Sequence, residues 1–259
     1  MMSLFSTRGI VLKSSPFRQV DRLVTIYTLD FGKSTFLLKG GLKIESKLAG
    51  HLEPLSLSEI TWVKGRYFNQ LTGASLITPF YSLRNDLNKL LTSFYALDIL
   101  DKFTSESEKE PLLFYLLLDF LNHLEGAEKV LKLKIFLVAF QMKFLDLIGF
   151  SPNLSFCHLC HQRIKLNEPV FFDFLEQSVV HQKCLKNKKG KIKISSDEIK
   201  LLKLFRREKF DFWEKRTISQ PSLVERIEKI LDPTFSCLLQ EIRPGEFLYS
   251  KLFYFSLVK

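Results

Sequence analysis

No stretch of this sequence is apolar for long enough to cross a membrane. The two most apolar runs are Pro111 to Leu124, which is short and carries Asp119, and Val130 to Phe150, which is broken by Lys132, Lys134, Lys143 and Asp146. A membrane helix needs roughly 20 apolar residues with few charges, so both runs read as buried helices. Residues 1–10 lack the apolar core of a signal peptide, and Arg8 follows Phe5 too closely for one. A cytoplasmic, nucleoid-associated protein is the expectation. Cysteine is scarce, with 4 in 259 residues, and in that compartment thiols are reduced or metal-bound rather than paired. Internal repeats and low-complexity linkers are missing as well.

Catalytic signatures are equally scarce. Gly32-Lys33-Ser34 has the ending of a phosphate-binding loop, but Tyr27 stands where that loop needs its first glycine. No His-Glu-x-x-His or His-x-Glu motif occurs, and no pair of carboxylates stands out for acid–base work or for holding two metals. The chain is expected not to be an enzyme.

Positive charge and phenylalanine are what the sequence has in quantity. The net charge is +10, with 25 Phe against 7 Tyr and 2 Trp. Most of those rings must be core, while the charge makes a polyanion the natural partner. The charge is unevenly placed: residues 1–80 hold ten cationic against five acidic residues, residues 81–150 eight against ten, and residues 151–259 twenty against thirteen. The first and last parts are therefore basic and the middle is not.

Residues 1–80 have the texture of a small β unit. Arg8 to Ser14, Arg22 to Thr28 and Ser34 to Lys39 are short runs of β-forming residues separated by Ser14-Ser15-Pro16 and Asp30-Phe31-Gly32-Lys33. Leu55 to Val63 and Tyr67 to Ile77 follow, joined by Lys64-Gly65-Arg66. Five strands with a longer connection, Gly40 to His51, after the third suit an OB-type barrel, and an SH3-like barrel would show nearly the same pattern. From Ser82 the period becomes helical: Leu83, Leu87, Leu90, Leu91, Phe94, Leu97 and Leu100, then Leu112 to Leu124 and Glu128 to Ile148. Two more helices are expected to open at capping boxes, Ser195-x-x-Glu198 and Ser222-x-x-Glu225. The expected class is α+β: a five-stranded OB-type barrel over 1–80, and an all-helical domain in two parts, 81–149 and 195–259, around a zinc-ribbon-like insertion at 150–194.

That insertion holds the strongest motif. Cys157-His158-Leu159-Cys160 is followed after twenty residues by His181-Gln182-Lys183-Cys184. Each two-residue gap lets a pair of donors share one knuckle, and two knuckles close a tetrahedral shell for zinc. Four protein donors leave no open position, so a structural ion is expected, one that folds a segment with little apolar mass of its own. His161 or His158 could take the place of His181. Val170 to Phe174 and Ser178 to Val180 can form the hairpin that joins the knuckles.

Cations crowd the barrel: Arg8, Lys13, Arg18, Arg22, Lys33, Lys39, Lys43, Lys47, Lys64 and Arg66, interleaved with Phe17, Tyr27, Phe31, Tyr67 and Phe68. Cations track phosphates and exposed rings stack on unpaired bases, which is how such barrels hold single strands. Phe17 and Phe68, beside turns, are the rings expected to be exposed. A second run, Lys188, Lys189, Lys191 and Lys193, follows the second knuckle and is expected to extend the DNA contact.

The order of short motifs resembles one family. Gly9-Ile10-Val11-Leu12, Asp21-Arg22-Leu23-Val24, Phe31-Gly32-Lys33, Lys39-Gly40, Leu48-Ala49-Gly50-His51-Leu52-Glu53-Pro54, Lys64-Gly65-Arg66 and Leu83-Arg84-Asn85-Asp86-Leu87 look like a RecO protein. The resemblance implies an OB domain, a helical domain and a zinc element. It also implies binding of single- and double-stranded DNA, annealing of complementary strands, and partnership with RecR and with the tail of single-strand-binding protein to help load the RecA recombinase at gaps. Compared with the family pattern, the loop Leu42 to Lys47 is less basic, His181 stands for a cysteine, and Leu175 to Val179 replaces glycines before the second knuckle. An RNA-binding zinc-ribbon accessory factor of transcription or translation is the alternative reading.

Overall fold

The computed structural model describes residues 3–165, 167–216, 218, 220–248, 250, 251 and 254. It is a mixed α+β chain in two compact units, Met1–Glu125 and Gly126–Lys259. The first holds a closed barrel of β1 (Leu4–Phe17), β2 (Asp21–Thr28), β3 (Gly32–Leu38), β4 (Leu57–Val63) and β5 (Asn69–Thr78), in the order β1-β2-β3-β5-β4. The strand runs read from the sequence recur with bounds shifted by a few residues. β1 serves two partners: its first half pairs with β4 and its second half with β2, and a bulge between Val11 and Lys13 turns it from one to the other. The barrel closes through a short parallel pairing, Phe36 to Asn69 and Leu37 to Gln70. This is the OB-type closure, with the long connection after β3 wound into a 3-10 turn at Ala49–Leu52.

The barrel interior is Val11, Val24, Ile26, Phe36, Leu38, Leu52, Ile60, Trp62 and Leu71, with Phe5 and Phe31 packed against it. Trp62 is the hub, with Phe31 edge-on at 4.8 Å and Phe5 stacked at 5.5 Å. Phe31 and the buried Tyr27 are thus core rings. At the β2–β3 turn Gly32 has φ +65°, and a Cβ there would lie 1.9 Å from the Glu108 carbonyl oxygen. Only glycine fits.

α1 (Tyr81–Asn85), α2 (Leu87–Phe103) and α3 (Pro111–Gly126) complete the first unit. The helical period read from Ser82 onward breaks at Asp86, whose carboxylate leaves the helix to accept from Lys89 N at 2.9 Å. Arg84 fastens this corner to the barrel, donating to Pro54 O at 2.8 Å and to Ser56 Oγ at 2.7 Å.

In the second unit α4 (Val130–Leu147) packs with α5 (Ser196–Arg207), α6 (Phe210–Lys215) and α7 (Pro221–Ile242). Phenylalanines join them: Phe136 meets Phe210 edge-on at 6.1 Å, and Phe205 stacks on Trp213 at 4.2 Å. The capping box at α5 is complete, with Ser195 and Glu198 satisfying each other's backbone N–H groups. The one expected at Ser222 does not form. α7 starts two residues earlier, with Gln220 as its N-cap position, Pro221 at its first turn and no side-chain cap, because proline arrives with a helical φ and no N–H to satisfy. Among the described residues no helix is long and apolar enough to cross a membrane.

Candidate metal centre and nucleic-acid interface

The insertion folds around a three-stranded sheet, β7-β6-β8, of β6 (Val170–Asp173), β7 (Ser178–His181) and β8 (Lys191–Ile194). The expected hairpin is β6–β7; the third strand, built from the lysine run, was not foreseen. Lys191 and Lys193 alternate with Ile192 and Ile194, a period-2 pattern that could have revealed it.

The first knuckle turns back on itself through His161 N to Cys157 O at 2.8 Å and Cys157 N to Gln162 O at 2.9 Å, and leans on β7 through His158 N to Val179 O at 3.2 Å. His181 ends β7, and Cys184 lies in the 3-10 turn Gln182–Cys184 that follows. Cys157, Cys160, His181 and Cys184 therefore meet, each offering one donor atom, with all four within 4.8 Å of one another. Zinc–sulfur bonds of about 2.3 Å in a tetrahedron place donors roughly 3.8 Å apart, so this set fits a metal ion without rearrangement of the chain. Cys160 Sγ is 3.4 Å from His181 Nδ1, while Nε2 of the same ring is 3.3 Å from the Glu168 carboxylate. Glu168 stands where an outer partner would fix the imidazole of His181 if it held an ion, and it carried no sequence signal. The competing histidines point elsewhere: His158 Nε2 lies 3.5 Å from Asp173, and His161 is exposed with φ +58°.

The thiols differ in acidity. Burial opposes ionisation of Cys157, but the N–H groups of Cys160, His181 and Leu159 outweigh it and hold the thiol at about 6. Burial and the neighbouring Cys160 and Cys157 push Cys184 up to about 11. Of the three thiols the knuckle already stabilises the Cys157 thiolate, and a cation would have to displace the proton from Cys184.

The barrel cations separate into two groups. One end of the barrel gathers the end of β1, the start of β2, the end of β3 and the start of β5, through Phe17 opposite Asp21, Arg22 opposite Leu38 and Leu37 opposite Gln70. Three connections emerge there: the β1–β2 turn with Arg18, the loop after β3 with Lys39, Lys43 and Lys47, and the β4–β5 turn with Lys64 and Arg66. Phe17 touches Phe68 edge-on at 5.7 Å, joining the first turn to the last. Arg18 lies over the Phe17 ring and Arg66 over the Tyr67 ring, at 5.2 and 5.6 Å. Tyr67 is 82% exposed, whereas Phe17 and Phe68 are half-buried against each other. The exposed ring is therefore not one of the two expected. Gly65 allows this turn its tightness, since a Cβ there would lie 2.0 Å from Phe68 O.

Of the remaining barrel cations, Lys33, Lys13 and Arg22 are engaged with carboxylates, and Arg8 is exposed on β1. Lys33 is 4% exposed, donates to Asp101 O and lies 3.5 Å from the Asp101 carboxylate. It is a core residue and must be withdrawn from the expected DNA contacts: β3 turns it toward α2, and its charge is met there. Lys13 reaches the same carboxylate at 2.5 Å, Arg22 pairs with Glu53 at 2.8 Å, and Arg8 stands across from Glu59 on β4. In the lysine run, Lys188 and Lys189 in the loop before β8 and Lys193 on β8 are exposed. Lys191 folds back 2.9 Å onto the buried Asp173, which removes it from the outward-facing set.

Comparison with known proteins agrees with this architecture. The family model described as "Recombination protein O N terminal" matches residues 2–80, and "Recombination protein O C terminal" matches residues 84–245. A protein of Acetivibrio thermocellus named DNA repair protein RecO is 30% identical over 240 residues, covering 88% of this chain and 94% of its own. Bearers of the same name in Desulforamulus reducens and Thermodesulfovibrio yellowstonii are 28% and 30% identical over 224 and 233 residues, covering 86% and 88% of this chain and 86% and 90% of theirs. With an OB-type barrel matched by the N-terminal model and the helical and Cys/His region by the C-terminal one, the chain belongs to the RecO family.

Proposed function

We propose that this chain is a DNA-binding recombination mediator in DNA repair: it anneals complementary single strands and helps load the RecA recombinase on gaps covered by single-strand-binding protein. The observation that carries this reading is the convergence of three loops at one barrel end, with Arg18, Lys39, Lys43, Lys64 and Arg66 around Phe17, Tyr67 and Phe68. Such a rim offers cations to phosphates and an exposed ring to a base. The lysine run offers a second cationic surface through Lys188, Lys189 and Lys193. Neutralising two backbones lowers their repulsion so that bases can pair. RecR and the tail of single-strand-binding protein are the proposed protein partners, and the cytoplasm, at the nucleoid, the proposed location. The metal is read as structural Zn2+, because four protein donors leave no coordination position for a substrate; no catalysis is assigned.

The test is strand annealing in the presence of single-strand-binding protein, with titrations of DNA binding against salt. Replacing Arg18, Lys64 and Arg66 by Ser is expected to slow annealing and to flatten the log–log salt slope for single strands by about 2, at roughly 0.7 per lost phosphate contact. Replacing Lys188, Lys189 and Lys193 by Ser flattens it in the same way, while Lys13→Ser leaves it unchanged. Slopes that do not respond at the rim or at the lysine run, with annealing intact, would refute the assignment. An RNA preference in the same titration would favour an accessory factor of transcription or translation.

A further inference from the structure

The loop after β3 carries a residue that phosphate binding does not explain. Ile44 is fully exposed, at the tip of a turn closed by Ser46 N donating to Lys43 O at 3.1 Å. Turn tips ordinarily hold Gly, Asn, Asp or Ser, each for a backbone reason, and nothing in this turn requires a β-branched side chain. The loop is also fastened rather than loose. Gly40 N donates to Asp21 Oδ1 at 2.8 Å, Leu42 N to Val20 O at 2.9 Å and Lys43 N to Gly40 O at 3.0 Å, and Leu48 and Ala49 pack on the barrel core. Val20 and Leu42, joined by one of those bonds, are themselves about two-fifths exposed. The result is a short apolar ridge on a braced loop, with Ile44 at its crest.

Charge identifies what covers it. Exposed Lys39, Lys43 and Lys47 share the loop with Ile44, Arg18 stands on the neighbouring turn, and of the loop's two acidic residues, Glu45 and Glu53, the latter is paired with Arg22. An apolar tip among cations matches a ligand whose anionic groups border flat apolar faces, and an unstacked base between its phosphates has that form. We propose that Ile44 is a wedge that enters the base stack where it is already open, at a junction of single and double strand or at a frayed duplex end. The proposal rests on the nucleic-acid reading of the barrel rim and adds a substrate preference to it. An aliphatic side chain has no hydrogen bond to offer, so it reads no sequence. Inserting it into a continuous duplex costs unstacking, whereas a junction has already met that cost.

Three proteins test this, wild type, Ile44→Ser and Ile44→Leu, with a junction oligonucleotide carrying 2-aminopurine at the first paired step and a blunt duplex and plain single strand of matched length. Ile44→Ser leaves every charge in place, and since Ile44 packs on nothing its unfolding midpoint should match wild type. The expected result is a loss of roughly tenfold in junction affinity, the scale of burying one aliphatic side chain, together with loss of the 2-aminopurine fluorescence rise. The salt slope stays unchanged, and Ile44→Leu restores both readouts. Junction affinity and fluorescence within twofold of wild type for Ile44→Ser overturn the wedge, and they do so even if the variant proves defective toward a protein partner. Wild type that binds none of the three DNAs in a salt-sensitive way removes the nucleic-acid reading itself, and the wedge with it.

Discussion

Removing the metal, by chelation or by His181→Ala, is expected to cost this protein as much stability as a large truncation in its apolar core. Structural zinc contributes about 10–16 kcal/mol of apparent binding energy in zinc-finger peptides, and ion present at a thousandfold excess over its dissociation constant stabilises the fold by about 4 kcal/mol. The first knuckle is tied to β7 by the backbone bond from His158 N to Val179 O, while the turn of Cys157 onto Gln162 is internal to it, so the Cys157–Cys160 loop and the 3-10 turn of Cys184 separate once the centre is lost. β6 and β7 resist better. Val170, Phe171, Phe172, Val179 and Val180 are all buried, so the segment has more apolar mass than its sequence suggested, and its loss of structure should be partial. The measurements are metal content by mass spectrometry of the native protein and the denaturation midpoint with and without chelator. His158→Ala and His161→Ala should keep the ion; if either loses it while His181→Ala retains it, the ligand assignment is wrong. The pH dependence has a definite sign. Cys184 holds its proton up to about pH 11, so binding releases at least one proton below that and affinity rises at least tenfold per pH unit. Below about pH 6 Cys157 is protonated too, a second proton must leave, and the dependence steepens to at least a hundredfold per unit.

The legibility of this molecule follows the range of the interactions that decide each feature. The metal quartet was readable because two knuckles are local: the x2 spacings in Cys157–Cys160 and His181–Cys184 state the geometry in four residues each. Glu168, which holds the far side of His181 at 3.3 Å, was not, since a single carboxylate thirteen residues upstream announces nothing. The barrel strands were legible from turn chemistry and β-branched runs, and their closure through two parallel pairs at Phe36 and Leu37 was expected only as a type of barrel. The sorting of its cations was not legible. Lys33, Lys13 and Arg66 are alike in sequence; what separates them is Asp101, far along the chain on α2, and sequence spacing carries no trace of that meeting. The missed strand β8 shows the opposite error, in which a charge run was read for its charge and its alternation with Ile192 and Ile194 was overlooked.

Lys33→Ala should therefore behave as a core substitution, losing about 3–5 kcal/mol of stability while leaving DNA affinity untouched in the protein that remains folded. The magnitude is that of truncating a long buried side chain and leaving a buried carbonyl without its donor. Lys33 is nearly inaccessible and Asp101 is 8% exposed, so deleting the ammonium strands the Asp101 backbone carbonyl that it bonds and leaves the carboxylate to Lys13 alone. Lys13 reaches the same carboxylate from the surface, its side chain 58% exposed, and water can replace it; Lys13→Ala should cost no more than about 1 kcal/mol. The pair should also be non-additive in a telling way. With Lys33→Met and Asp101→Asn together, neither the carboxylate nor a buried ammonium remains and only the exposed Lys13 keeps its charge, so the double variant should recover part of what Lys33→Met alone loses. Urea midpoints at constant m value measure the stabilities, and a salt titration of DNA binding measures the surface role. A Lys33→Ala protein as stable as wild type but with a flatter salt slope would mean that this lysine leaves α2 to reach a phosphate, and the division of the barrel cations into rim and core would then fail at its clearest point.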